Sequence, residues 1–231
     1  MKTIGVLGGI GPQATMDFEC RLHRAAQEKI PADFNRGYPP LMVVYVRRPP
    51  ALLEPGAGHR PRAPLTPDPA LLDAARRMGE SVDFLVITSN FTHVFRREVE
   101  QAAGRPVLSM IDLVLDEIRS RQWAHVGVLG VGMPFIYTER LDALGIRHET
   151  LPQEERDALD HSILVLIEGR ETDAERAVAR QAIATMNARW VDGTVLGCTE
   201  IPLLLGDAAD APDLIHPLQL LADAAIARAT E

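Results

Sequence analysis

Two stretches of this chain occur twice. Residues 4–9 read IGVLGG and residues 126–131 read VGVLGV, 122 positions later. Residues 82–89 read VDFLVITS and residues 191–198 read VDGTVLGC, 109 positions later. The order is the same and the offsets are similar. That pattern predicts two halves of one architecture, each roughly 100 residues, an ordinary domain size. The 13-residue difference between the offsets implies a longer loop in the first half. Buried parallel strands all read as Val-Ile-Leu runs, so chance competes with duplication. The small polar turn that closes both copies favours duplication.

The spacing of apolar residues predicts strands at 3–7, 41–48, 82–88, 106–110, 125–130 and 193–197. Between them, helical periodicity marks 13–29, 69–80, 94–103, 111–121, 137–144, 154–168 and 172–189, and a last helix begins within 214–225. Strands alternating with helices imply an α/β protein with parallel sheets and helices on both faces. We therefore expect two similar, doubly wound parallel-sheet domains. The first would hold residues 1–98 plus 208–231, the second 99–207. Segment 49–69 holds seven prolines and reads as an irregular loop, long enough to suggest a functional role. In open α/β sheets ligands bind at the carboxyl ends of strands. If the halves face each other, Ser89 and Cys198, which fall in register, flank one ligand.

Composition narrows the function. Net charge is −8 and no block of Lys or Arg stands out, which argues against nucleic-acid partners. No apolar run approaches the ~18 residues of a membrane span. The chain enters a strand almost at once, without a signal-peptide pattern. Two cysteines make no disulfide framework, so a cytoplasmic location with free thiols is expected. The seven histidines lack H-x-x-x-H spacing, so no metal site is expected. Gly9, Gly11 and Ala14 fit the dinucleotide pattern G-x-G-x-x-A. That fingerprint wants an acidic residue closing the second strand, where this chain has Arg47 and Arg48. It would also leave the GCTEIPLLL stretch at 197–205 without a role.

Three segments, IGVLGGIGP at the start, SNFTH at 89–93 and GCTEIPLLL, together resemble the pyridoxal-independent aspartate/glutamate racemase superfamily over nearly the whole chain. The resemblance implies a cofactor-independent amino-acid racemase, in many members a homodimer, acting on a small carboxylate or amino acid, and built from two similar α/β domains related by a pseudo-twofold axis with the active site in the cleft between them. Such enzymes use one cysteine on either face of the substrate α-carbon. Here Cys198 stands at the second cysteine's place, while Ser89 replaces the first and Phe91 replaces a threonine of the usual Cys-Asn-Thr-x-His.

A thiol beside a helix start is expected to ionise below its usual ~8.5 and act as base near neutral pH. Cys198 is accordingly the expected acid/base or nucleophile, with Thr199 bonding a substrate carboxylate. Glu200 either orients substrate or is a favourable charge in a first helical turn. A serine hydroxyl is a far weaker base and needs a partner, a role His93 is placed to fill four residues on. One-faced chemistry (decarboxylation, or cis-trans isomerisation of a dicarboxylate) and carboxylate binding without turnover are the alternatives. Gly9, Gln13, Asn90, Phe91 and Thr92 complete the expected binding set. Arg48, preferred over Arg47 by strand alternation, would pair with a distal carboxylate, and Arg170 stands where relatives carry a basic residue. Tyr137 fits either a cleft or a core position. His216 reads as a surface or capping residue. Cys20, beside Phe18 and Leu22, reads as packing.

Overall fold

In a computed structural model, which describes residues 1–34, 36–56 and 61–231, the chain divides into two compact units. Unit 1 comprises Met1–Met110 and Leu221–Glu231; unit 2 comprises Ile111–Leu220. Both boundaries fall later than the sequence suggested.

Unit 1 starts with β1 (Ile4–Gly8), α1 (Pro12–Lys29), β2 (Leu41–Tyr45), α2 (Pro69–Gly79) and β3 (Phe84–Ile87). A 3-10 turn over Phe91–Phe95, α3 (Arg96–Ala103) and β4 (Val107–Leu108) follow. All pairings are parallel, in the order β2-β1-β3-β4. Because β4 pairs with β3 and α3 packs on α2, the segment beyond residue 98 belongs to this unit. Gly79 permits that helix contact, since a Cβ there would sit 1.9 Å from the Ala103 carbonyl oxygen. Every residue of β1 and β3 is buried, as central parallel strands require. β2 is shorter than expected and only half-buried, as befits an edge. The side chain of Asp68 caps α2 by accepting from Ala70 N at 2.8 Å, and Pro69 occupies the first turn. In the proline-rich segment, bridges join Ala51 to Pro67 and Leu53 to Pro61, while 57–60 lie outside the described residues.

The chain enters unit 2 at the start of α4 (Met110–Ser120). There follow β5 (His125–Leu129), α5 (Phe135–Ala143), β6 (Arg147–Glu149), α6 (Gln153–Ile167), α7 (Asp173–Ala188) and β7 (Gly193–Leu196). The unit ends with α8 (Ile201–Leu205), a 3-10 turn over Gly206–Asp210, β8 (Leu214–Ile215) and the first residues of α9 (Pro217–Thr230). The sheet order is β6-β5-β7-β8, again all parallel. Leu129 and Leu196 face a core built with α6, α7 and α8. Val126, Val128 and Val195 face another built with α4 and α5. This sheet therefore carries helices on both faces.

The two sheets share one topology strand for strand, so the duplication read from the sequence is present in the fold. In each, strand order reverses between the first and third strands, β1 and β3 in one unit, β5 and β7 in the other. The rule for doubly wound sheets puts ligands at the carboxyl ends beside such a switch point. Ser89 follows β3 and Cys198 follows β7, each two residues past the strand.

Candidate active site

At the carboxyl edge of sheet 1, the turn after β1 needs glycine. Gly9 has φ +76°, and a Cβ there would lie 2.5 Å from Tyr45 Cα. Thr15, fully buried one turn into α1, ties this turn down. Its Oγ1 accepts from Gly9 N–H at 2.9 Å and donates to Gly11 O at 3.2 Å. That spends its only proton, so Thr88 is the donor in the 2.9 Å Thr15–Thr88 hydroxyl pair. Gln13 stands half-buried at the head of α1.

Beyond Thr88 the chain turns through Ser89, half-buried, and Asn90, buried. Ser89 Oγ accepts from Thr92 Oγ1 at 2.9 Å and from Thr92 N–H at 3.4 Å. Thr92, fully buried, thus orients the hydroxyl. His93 does not serve as its base. The ring is buried; Nδ1 lies 2.8 Å from the Ser89 carbonyl oxygen, and Nε2 accepts from Met110 N–H at 3.1 Å. Phe91 packs edge-to-face on Phe95 with centroids 6.3 Å apart and leans on the core of unit 1.

β2 ends at Tyr45, so strand alternation does not sort Arg47 from Arg48, and both are exposed. Arg47 lies over the Tyr45 ring, whose hydroxyl donates to Glu19 at 3.1 Å. Arg48 Nε is 3.9 Å from Asp68 Oδ2, and its side chain is 66% exposed.

At the carboxyl edge of sheet 2, Cys198 is half-buried and its thiol donates to Glu200 Oε2 at 3.1 Å. Thr199 Oγ1 donates to the same oxygen at 2.9 Å, and Thr199 and Glu200 are buried. Burial, then the Glu200 carboxylate, pushes the thiol well above its ordinary pKa. The expected lowering by a helix start is therefore corrected: α8 has five residues, and a carboxylate sits against the sulfur.

Asp160 of α6 was not singled out in the sequence. Its carboxylate accepts Gly132 N–H at 2.9 Å and 3.1 Å, holding the turn after β5. Burial pushes its pKa up, against the opposing pull of the Gly132 N–H, and its charge adds to that of Glu200 in raising the Cys198 thiol. In sequence it reads as one more charge on an amphipathic helix; the signal was its place beside the buried Leu159, Ile163 and Leu166.

Other expectations sort by burial. Tyr137 is fully buried in the core. His216 is buried at the start of α9, not on the surface. Arg170 is exposed and paired with Glu168. Cys20 is exposed, because α1 buries Phe18 and Leu22 on the opposite side. Among the described residues, no three His, Cys, Asp or Glu side chains gather as metal ligands would, and no helix is long and apolar enough to cross a membrane.

The family model for Asp/Glu/Hydantoin racemase matches residues 7–225. A broad-specificity amino-acid racemase of Bacillus subtilis is 28% identical over 116 residues, 50% of this chain and 48% of that protein. The match thus spans about half the length of that curated relative. Among solved structures, an aspartate racemase of Picrophilus torridus superposes with TM-score 0.79 at 22% identity, covering 100% of this chain and 95% of the other. An aspartate racemase homologue of Pyrococcus horikoshii gives 0.75 at 22% identity, covering 100% of both chains. At these identities the likeness is one of fold.

Proposed function

The chain belongs to the Asp/Glu/Hydantoin racemase family, and from that premise we propose that it moves a proton at the α-carbon of a small carboxylate such as aspartate or glutamate, without a cofactor. The observation that carries the reading is the hydrogen bond from the Cys198 thiol to Glu200. A raised thiol makes a poor base by itself, but a carboxylate already bonded to its proton is placed to take it. The thiolate so formed removes the α-proton from one face of the substrate. The Ser89 hydroxyl serves the other face, giving its proton to carbon. The alkoxide left behind is stabilised by the two Thr92 donors and recovers a proton from water. Asn90, Thr199 and the Gly9–Gln13 turn meet the substrate's carboxylate, and Arg48 its distal charge. Homodimerisation, implied by the family resemblance, and a cytoplasmic location, expected from the two unpaired cysteines, belong to the same proposal.

A second reading draws on Ser89 itself. An alcohol whose oxygen already accepts two bonds is a better donor than base. That favours chemistry on one face only, with Cys198 alone moving a proton or attacking carbon, as in a decarboxylase or a cis-trans isomerase. Deuterium incorporation at the α-carbon in heavy water, read by NMR for each enantiomer of aspartate and glutamate, decides between them. Wild type should exchange, and Cys198→Ala should be slower by on the order of 10³-fold, the range for general acid–base catalysis. Ser89→Cys should raise inversion by about tenfold or more, since a thiol surrenders its proton more readily. Equal exchange by wild type and Cys198→Ala removes the assignment. Carbon dioxide release from substituted malonates without inversion selects the second reading. Thermal stabilisation by carboxylates without turnover would leave a binding protein.

A further inference from the structure

The geometry points to His93 as the positioning residue of the Ser89 hydroxyl, acting through the Ser89 backbone rather than as a base. A carbonyl oxygen only accepts, so the 2.8 Å contact to Ser89 O puts the ring proton on Nδ1. The Met110 N–H only donates, so Nε2 is bare. One neutral tautomer satisfies both bonds; the imidazolium keeps only the one to Ser89 O, and the other neutral tautomer makes neither. The ring is 8% exposed, so an unmet bond there would not be repaired by bulk water. Met110 opens α4, and its N–H is among those a helix start leaves without an intrahelical partner. His93 thus pins the Ser89 carbonyl to the first turn of that helix. Thr92 holds the Ser89 side chain from the other side, so main chain and hydroxyl are each fixed once. Loosening the carbonyl frees the turn and spoils the alignment of the oxygen. The site after β7 lacks this device, since the position equivalent to His93 is Pro202. This inference rests on the reading above in taking Ser89 as a group that meets substrate.

The test replaces Ser89 by cysteine in the full chain with Cys20→Ser and Cys198→Ala, leaving one thiol at the position. Iodoacetamide alkylation across pH reports how well Thr92 cradles that sulfur, because two donors favour the thiolate. With His93 present the profile should lie on the acid side of an ordinary thiol. His93→Gln keeps an acceptor for Met110 but loses the donor to residue 89. It should slow alkylation at pH 7 by about three- to tenfold. His93→Asn keeps the donor and should return to within about twofold. With Ser89 in place, His93→Gln should cut kcat for inversion by about tenfold, leaving KM and exchange from the Cys198 face nearly unchanged. Identical alkylation in all three, or equal impairment by Gln and Asn, overturns the inference. So does nitrogen-15 NMR of the unmodified protein if the His93 imidazole proves protonated at Nε2 at pH 7, a result that needs no variant to fold. Alkylation and NMR use no substrate, so absence of turnover counts against the racemase reading and not against the positioning.

Discussion

At the edge of sheet 1 the glycine turn is tied by hydroxyls; at the edge of sheet 2 the equivalent turn is held by a carboxylate and its neighbourhood packed by a ring. By the two offsets, Thr15 corresponds to Tyr137 and Thr88 to Gly197. The first pair shares a hydrogen bond. In the second the tyrosine ring fills the space a side chain on Gly197 would need, 3.2 Å from an added Cβ. The same offsets set Phe91 against Glu200 and Thr92 against Ile201. Ser89 is therefore served by donors and Cys198 by an acceptor. In the proposed reaction, donors stabilise an oxygen that loses its proton to substrate. An acceptor lets a sulfur release its own proton and then take one. The duplicated scaffold thus carries opposite polarities at equivalent positions, and the serine is part of a consistent local design, not a lone substitution.

The largest effect should come from breaking the hydroxyl tie. Thr15→Val leaves Gly9 N–H and the Thr88 hydroxyl unmet in a buried place. It should cost about 2–6 kcal/mol, the sum of two losses of about 1–3 kcal/mol each. Thr88→Val removes only a donor and should cost about 1 kcal/mol. Urea melts of both and of the double variant should show strong non-additivity, because the two side chains share one bond. Additive, small costs would mean the turn stands without the pair.

The polarity contrast is sharpened at Glu200. Glu200→Gln can still accept from the thiol but carries no charge and takes no proton. The thiol should then titrate lower, and Cys198 should alkylate about three- to tenfold faster at pH 7.5. Substrate exchange should meanwhile fall by at least about tenfold, as for loss of a general base. A more reactive thiol in a slower enzyme is the signature. If both rates rise, Glu200 only restrains the sulfur.

Much of this was legible in the residues because the duplicated strands β1, β3, β5 and β7, buried but for His125 at the start of β5, leave strong apolar runs. The strands the sequence hid are edges. β6 is Arg-His-Glu and β8 has two residues, too polar or too short to show a period. The domain boundaries came out early because the small edge strand β4 gave no signal that it completes sheet 1. Motif spacing singled out Ser89, Cys198 and Glu200, but not the direction of the Cys198 shift, which depends on where a carboxylate folds back. Likewise His93 looked like a base for Ser89 by spacing alone. Its ring turned to the main chain because Met110, seventeen residues away, needs an acceptor.

The smallest expected effect tests the carboxylate that holds the second turn. Burial raises Asp160 above its unfolded value. A raised acid binds its proton more tightly in the folded chain. Its contribution is therefore fully present below the unfolded pKa and is lost as pH rises through the folded one. At neutral pH the ionised group carries a desolvation cost that an amide does not, while Asn still accepts the Gly132 N–H. Asp160→Asn should raise the thermal midpoint at pH 7 by roughly 1–2 °C, a fraction of a kcal/mol in a chain of this size, trimmed because the group is partly solvated. At a pH below the unfolded carboxylate value the gap should close, since both side chains are then neutral. Thr15→Val, whose tie involves no charge, should show the same deficit at both pH values. A pH-independent difference for Asp160→Asn, or a loss of stability at pH 7, would mean that the charge itself holds the Gly132 turn. The two edges would then differ in strength as well as in chemistry.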